Sequence, residues 1–501
     1  MNTQVLVVGA GPVGLTAACR LARLGVGVHV VEKLAEPTTE SRAVGVHARS
    51  LELLASLGVL PQLEARGRRI GALQMVDGTT GHVRARMELA DAPTRHPYVL
   101  DVAQPDTEAV LAARAGELGV TVERGVALTG LTQDADGVEA TLSDGRTLRV
   151  GWVVGADGGH STVRTLVGEQ LHGGFHGQHF AMADVDIDTV LDRDTIHMFT
   201  HPDGMGMLFP LAGDRARLMF LVDRPDPAGL TLAQVQALAD TRMGGRVEAR
   251  DPRWLTYFEV HHAQVAQYRH GRVFLAGDAA HIHSPAGAQG MNTGIQDADN
   301  LAWKLALVAR GEADQALLDT YHRERHPIGA AVLKQTTRLT NVGTATGPEA
   351  LVRDALSFVL GHSHRLGSAA ATTMAELRIA YPHSSLSAQR GGLLRAGDHA
   401  PDPAGLHRTD GTPVAVEDLL AGPGFLLLVP RTADRDALRA ALGDLGTVAD
   451  DLAGDPFGLG EGMALVRPDG YLGLVAGTAD PEVLTRYLTD QVHAVTPVTT
   501  R

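Results

Sequence analysis

Cysteine is almost absent from this chain. One occurs in 501 residues, Cys19, so an intrachain disulfide and a cysteine-ligated zinc cluster are both excluded. Cys19 lies inside an apolar helical run, where it reads as a small buried residue. Long hydrophobic runs are missing too: "GFLLLVP" is far too short to span a bilayer. Positive charge is in deficit, with 44 Lys and Arg against 58 Asp and Glu and a formal net charge of −14. That balance disfavours a nucleic-acid partner. There is no repeat and no low-complexity tract. The first strand begins at Val5, which leaves no room for a leader, so the expected location is the cytoplasm. The 23 histidines are scattered. His261-His262 and the His281/His283 pair lack the context of a metal site, so no metal is expected. What remains is an ordinary globular composition, 44% apolar, long enough for two to four domains.

The most informative local pattern is "VLVVGAGPVGLTAACRLARLGVGVHVVEK". Val5 to Val8 are a continuous apolar run, as in a strand buried on both faces of a parallel sheet. Gly9, Gly11 and Gly14 follow as G-x-G-x-x-G. Gly9 permits the tight turn, Gly11 lets a diphosphate approach the backbone, and Gly14 lets the next helix pack closely. Pro12 and Val13 lie between them, and a helix is expected over Leu15 to Leu24. Its N-terminal amides face the phosphates. Val28 to Val31 form a second strand, ended by Glu32 and Lys33. Glu32 lies where a carboxylate accepts hydrogen bonds from a ribose diol and disfavours a 2′-phosphate. This motif binds a dinucleotide but does not separate NAD from FAD.

Two further stretches repeat the logic of a strand followed by a small-residue loop. In "VGWVVGADGGHSTVR" an apolar strand ends at Asp157-Gly158, and Ser161 leads into a helix start carrying Arg164. In "GRVFLAGDAAHIHSPAGAQGMNTGIQDADNLAWKLALV" the strand Val273 to Ala276 ends at Gly277-Asp278. A loop containing Ser284, Pro285, Gly287 and Gly290 follows, and Met291 and Asn292 open a long helix with an apolar face through Ile295, Ala298, Leu301, Ala302 and Leu305. Residues 175 to 265 are mostly β, because "HFAMADVDID", "TIHMFT", "GMGMLFPL" and "RLMFLV" alternate or run apolar between turn residues. The stretch 342 to 395 is helical and Ala-rich. From about Leu394 a small α/β unit begins, with the strand "FLLLV", a helix near Asp436 to Leu442 and the hairpin-like "ALVRPDGYLGLV".

With the three motifs in this order and spacing, the chain resembles the group A flavoprotein monooxygenases, the single-component FAD-dependent aromatic hydroxylases. The resemblance covers residues 1 to about 340 strongly and implies FAD as resident cofactor. The implied fold is α/β. A Rossmann-like FAD-binding domain (1–175 and 268–340) carries an inserted β-rich substrate domain (176–267, with a contribution around 70–100), as in p-hydroxybenzoate hydroxylase. A helical connection (341–393) leads to a thioredoxin-like domain (394–501). The resemblance makes Asp278 a ribitol ligand and aims the helix at Met291-Asn292 toward the flavin pyrimidine ring. It sets Arg42 against the FAD phosphates or makes it a gate for flavin movement, and brings Gln104 to the ADP side. Leu128, Pro285 and Gly290 complete the implied cofactor contacts. Asp157 is expected to support the FAD and nicotinamide sites, with Arg164 as its partner. The C-terminal unit resembles that of phenol-hydroxylase-like members, polyketide-tailoring hydroxylases and rifampicin-type monooxygenases. It has no C-x-x-C, so it is not a dithiol module, and a structural or homodimer-contact role is expected. Where relatives follow "RPDG" with an aromatic and an arginine, this chain has Tyr471-Leu472-Gly473-Leu474.

The implied chemistry belongs to the cofactor. NAD(P)H, a transient co-substrate without a Rossmann domain of its own, reduces FAD. Oxygen adds at flavin C4a, and the hydroperoxide hydroxylates an electron-rich ring. Water must be kept out. Expected walls of the substrate pocket are Met182, Asp184, Met207, Phe209, Pro210, Met219, Phe220 and Pro285, an adaptable apolar lining suited to a polycyclic aromatic such as a polyketide intermediate. No catalytic base is identified. His281 and His283 are the tempting choices, and a supporting role suits them equally. Baeyer–Villiger insertion or antibiotic-inactivating oxidation fits the same frame. So does an FAD dehydrogenase or oxidase without oxygen transfer, or an FAD-keeping protein that acts by binding intermediates.

Overall fold

The computed structural model describes residues 3–41, 43–282, 288–344, 364–403, 405–422, 424–449 and 451–495. The first apolar run is a strand, Val5–Val8, buried along its whole length. It is central in a six-stranded sheet, with Val28–Glu32 and Thr121–Arg124 on one side and Trp152–Gly155, Val273–Leu275 and Arg269–His270 on the other. All neighbours are parallel except the last pair. The three strands that precede the three motifs are therefore adjacent and parallel, and their loops leave from one edge. The fingerprint helix runs Pro12–Arg23, three residues earlier than its apolar spacing suggests. Proline at the first helical position accounts for the early start, since its fixed φ suits that turn and its missing N–H is not needed there.

A second, eight-stranded sheet lies beside this one. Its two longest strands, His172–Thr189 and Val247–Gln264, pair antiparallel. Arg215–Val222, Gly206–Pro210 and Thr195–Thr200 follow outward. Beyond them the hairpin Ala72–Asp77 and Val83–Glu88 joins from far earlier in the chain. Alternation splits this sheet into two faces. One buries Ala181, Ala183, Val185, Leu208, Leu218 and Phe220 under a helix, Leu232–Met243. That helix interrupts the stretch expected to be mostly β. Its signals are a capping box between Thr231 and Gln234 and a left-handed Gly244 at its end. The other face presents Phe180, Met182, Met207, Phe209 and Met219 to a small three-stranded sheet of Gly45–Val46, Val99–Asp101 and Arg68–Ile70.

The C-terminal unit is a five-stranded mixed sheet flanked by the helices Arg435–Leu442 and Pro481–Asp490. Its edge strand is Ala388–Arg390, parallel to Leu472–Ala476, so the unit takes in residues ahead of 394. Its turn Arg467-Pro468-Asp469-Gly470 is buried against the first half of the chain. The Arg467 guanidinium donates to Glu324 Oε1 at 2.6 Å and Oε2 at 2.9 Å, and to Asp469. Lys304 Nζ donates to Glu324 Oε2 at 2.7 Å and to Asn300 Oδ1 at 2.8 Å. Arg20 donates to Pro468 O at 2.8 Å, and Arg49 to Asp469 O. Burial opposes the charge of Glu324, but Arg467 and Lys304 outweigh it and hold its pKa far below the usual value.

Two predictions follow the seam between the halves. Replacing Arg467 with Met strips Asp469 of its guanidinium and leaves Glu324 with Lys304 alone, and the expected loss is about 3–5 kcal/mol of stability, read as a lower thermal midpoint. A rim contact sets the pH dependence. His96 Nε2 lies 3.0 Å from Glu417. Burial works against its charge, yet Glu417 prevails and its pKa rises above 6.5. A raised histidine contributes fully below its unfolded value, and that contribution is lost as pH climbs through the folded value. The midpoint should fall as pH climbs above 6.5, and Glu417→Gln should flatten that fall.

Candidate functional site

The site lies where the three motif loops converge. Gly9 has φ +107°, and a Cβ on it would lie 2.4 Å from Ala156 O. A Cβ on Gly14 would lie 2.0 Å from Gly9 O. Gly9 is thus required by the packing of the first loop against the second, and Gly14 by the packing of the helix against its own loop. Gly11 differs: nothing stands within 4 Å of the place its Cβ would take. The helix behind it has no side-chain cap, so its first amides face open space. That is the setting a diphosphate needs. Val13 turns its side chain inward, with Cγ2 2.9 Å from the Cβ position of Gly277 and 2.6 Å from that of Gly294. Only its backbone can reach a cofactor, and its side chain packs the three motifs together.

The other cofactor candidates surround this point. Glu32 Oε2 accepts from Ala10 N at 2.8 Å and Oε1 from Leu34 N at 3.0 Å, which fixes the carboxylate at the strand end. Lys33 is exposed beside it. Leu128 is buried in the main core, so it too is left with only its backbone for a ligand. Gln104 accepts from Ala43 N at 3.2 Å, and its own N–H donates to Ser41 Oγ at 3.1 Å. It thereby brackets position 42. Arg42, His283 and Pro285 lie outside the described residues.

The second motif differs from expectation in its pairing. Asp157 accepts from Ser161 Oγ and from the backbone N–H of Thr162 (2.7 Å) and Val163 (3.1 Å), so it caps the helix Thr162–Leu166. Arg164 bonds carbonyls instead, those of Gly159, Asp278 and Ala279. A carboxylate at a helix N-terminus already has donors and a favourable dipole, which leaves the arginine free to tie the second motif to the third. The Asp278 side chain stays exposed at the loop edge.

The long helix runs Gln289–Ala309 and follows Ala288, which is left-handed at φ 53°. It starts two residues before Met291, has no side-chain cap, and has Gly290 half-buried at its first turn. Asn292 is fully buried: its Oδ1 accepts from His47 N at 2.9 Å, and its Nδ2 donates to Gly45 O at 2.9 Å and Ala288 O at 2.7 Å. The amide side chain fastens the strand Gly45–Val46 to the helix start. A positive helix end with free amides is suited to an electron-rich, negatively polarised ring edge.

His281 is no free base. Its Nε2 lies 2.6 Å from Asp297 Oδ2, both side chains fully buried. Asp297 also takes Arg325 Nε at 2.7 Å and Gly277 N at 3.2 Å. Arg325 goes on to Tyr381 Oη and Thr293 O. The group holds the third motif's turn against the long helix. Asp297 and Arg325 were not singled out from sequence; the signal was a charge inside otherwise buried helices.

Of the expected pocket walls, Met182, Met207, Phe209 and Met219 share the face toward the small sheet, beside Phe180 and Trp254. Phe220 and Pro210 do not. Phe220 belongs to the opposite core, and Pro210 pairs with Ala216 and shares the face of Leu208, because successive strand residues alternate sides. Asp184 is engaged by Arg217 through Nε at 2.7 Å and Nη2 at 2.8 Å.

Comparison with known proteins identifies the frame. An FAD-binding domain family model matches residues 2–336. A 12-dehydrotetracycline 5-monooxygenase/anhydrotetracycline 6-monooxygenase from Streptomyces rimosus is 37% identical over 98% of both chains. A rifampicin monooxygenase from Streptomyces venezuelae is 40% identical over 70% of this chain and 74% of its own. The crystal structure of CabE, an aromatic hydroxylase from angucycline biosynthesis, superposes with a TM-score of 0.82 at 31% identity, covering 99% of this chain and 100% of that one. Together with the glycine cradle, the match means that the cofactor is FAD, and the chain belongs to the single-component FAD-dependent aromatic monooxygenases.

Proposed function

We propose that this enzyme uses NAD(P)H and O2 to hydroxylate a fused, polyketide-type aromatic. The observation that carries the reading is the methionine-rich sheet face packed against the small sheet that Asn292 fastens to the long helix start. Flat polycyclic rings need wide, adaptable apolar contact, which Met182, Met207 and Met219 supply and Phe180 and Phe209 stiffen. The full-length match to a tetracycline-pathway hydroxylase, C-terminal unit included, supports the substrate class. A second reading, oxidation that inactivates an antibiotic or a Baeyer–Villiger insertion, is favoured by the rifampicin monooxygenase identity. That match spans 70% of this chain.

The flavin supplies the redox chemistry and the activation of oxygen. The chain supplies the rest. The amides behind Gly9, Gly11 and Gly14 take the diphosphate, with Pro12 and Val13 in the first helical turn, and Glu32 takes the ribose. Lys33, Leu128, Arg42 and Gln104 flank the adenosine and phosphate side. Asp278 takes the ribityl chain while Asp157 supports its loop, and Pro285, Gly290, Met291 and Asn292 border the ring. Burial of the methionine-rich face excludes water from the reacting surfaces. We assign residues 1–175 and 268–340 to FAD binding and 176–267, with the 70–100 hairpin, to substrate. Residues 341–393 connect to a thioredoxin-like unit at 394–501 that begins early with Ala388–Arg390 and serves as a scaffold or homodimer contact.

Gly11 gives a direct test of the cofactor assignment. Its backbone, φ −76°, suits any residue, and its Cβ direction is open. Gly11→Val should leave the apoprotein's thermal midpoint unchanged and weaken FAD retention at least tenfold, read as flavin absorbance after gel filtration. Gly14→Val should fail to fold. The reaction is tested with 18O2, NAD(P)H and anhydrotetracycline as probe substrate. One labelled oxygen in a new phenol or alcohol per NAD(P)H consumed is expected. A ring-expanded lactone would favour the second reading, and anaerobic bleaching of the flavin by the aromatic alone would make the enzyme a dehydrogenase or oxidase.

A further inference from the structure

One acid faces the proposed substrate surface without a partner. Asp101 ends the strand Val99–Asp101, between Gly45 on one neighbour and Arg68 on the other. It is fully buried, and among the described residues no donor reaches either carboxyl oxygen. Alternation gives it the side of Val99, which packs in the apolar cluster with Met182, Phe209 and Met219, while Leu100 between them enters the main core. Gly45 leaves room beside it. A Cβ there would lie 3.4 Å from Asp101 Oδ1 and 3.1 Å from Ala288 Cβ, the residue that opens the long helix. The carboxyl thus sits where the flavin-side strand, the helix start and the apolar face meet.

Among the described residues, the two arginines beside it, Arg217 and Arg68, are engaged elsewhere. Arg217 gives Nε and Nη2 to Asp184. Arg68 gives Nη1 to Asp194 and Nε to Leu211 O. Burial, opposed by Arg217, holds the Asp101 pKa well above the ordinary range, which favours the neutral form, with one O–H donor and free acceptor capacity. A buried carboxyl that satisfies nothing in the protein is destabilising, and a ligand oxygen would remove the penalty.

We propose that Asp101 binds substrate directly, exchanging hydrogen bonds with a hydroxyl or carbonyl oxygen of the fused aromatic and so fixing the register in which the ring lies on the methionine-rich face. This rests on the function proposed above. Asp184 and Arg217 on that face are closed on each other, and the methionines and aromatics around them have no means of holding a flat ring in one register. A single acid at its edge supplies that means.

The test compares wild type, Asp101→Ala and Asp101→Asn as FAD-loaded proteins, with 1-naphthol and naphthalene as probes that differ by one hydroxyl. Dissociation constants come from probe fluorescence without NAD(P)H, alongside thermal midpoints and flavin content. Wild type should prefer naphthol by about tenfold. Asp101→Ala should abolish that preference with flavin content unchanged and a midpoint equal to or above wild type. Asp101→Asn, which keeps a donor and an acceptor, should retain most of it. A wild type without preference, an alanine variant that keeps it, or an alanine variant that loses flavin and midpoint together would overturn the proposal. The binding readout is independent of turnover. Failure to hydroxylate anhydrotetracycline would count against the proposed function, and loss of naphthol preference would still report on Asp101.

Discussion

A buried charge must have a partner, and in this protein that requirement is concentrated on one helix. Gln289–Ala309 is covered around its circumference, yet it carries Asp297, Asp299, Asn300 and Lys304 into the interior. They are answered from other elements: Asp297 by His281 and Arg325, Asp299 by Arg20, and Asn300 and Lys304 by Glu324. Burial pulls the Lys304 pKa down to about 8, with Glu324 opposing the fall. An apolar helix could slide or rotate among apolar neighbours at small cost. One whose charges are each answered by groups fixed in other elements has one register.

That register sets the site. Through Gly277 N and Arg325, Asp297 ties the third motif's turn to the helix start. Through Asn292, the same helix holds Gly45–Val46. Arg164 then bonds the carbonyls of the third motif from the second, and the close approach of Gly9 to Ala156 joins the second to the first. The helix starts of the first and third motifs, behind Gly11 and behind Ala288, lack side-chain caps and are held in place by these contacts. The C-terminal turn at Arg467 closes the same network from outside, which is why a unit with no redox cysteine is built into the molecule rather than tethered to it.

Much of this could be read from the residues. Val5–Val8, Val28–Glu32 and Val273–Leu275 are apolar runs ended by glycine or acid, and local sequence alone defines such units. The C-terminal strand Phe425–Leu428 and helix Arg435–Leu442 fell in the same class. What was not legible depended on partners far away in the chain. Asp157 and Arg164 look like a pair by spacing, but the helix N-terminus satisfies the acid first. Phe220 and Pro210 look like pocket walls by composition, and the strand register turns them to the other core. The helix Leu232–Met243 was hidden among strands although "TLAQ" carries its cap. His281 draws attention as a titratable group near a motif, and only the fold reveals that Asp297 already holds it.

The buried acids separate by the same criterion. Asp297 in "GIQDADN" and Glu324 in "YHRERH" lie in polar stretches, are fully enclosed, and have pKa values held low because arginine, histidine or lysine outweighs the effect of burial. Asp101 lies instead in apolar sequence, "YVLDVA", and is equally enclosed, but burial prevails there. From sequence only Asp101 is a lone charge in a hydrophobic run. Structure divides them by whether the protein itself answers the carboxyl. Those it answers hold the scaffold in register. The one it leaves unanswered stands at the edge of a face whose other charges, Asp184 and Arg217, are closed on each other, so its instability in the free protein and its proposed use in the bound one have the same physical origin.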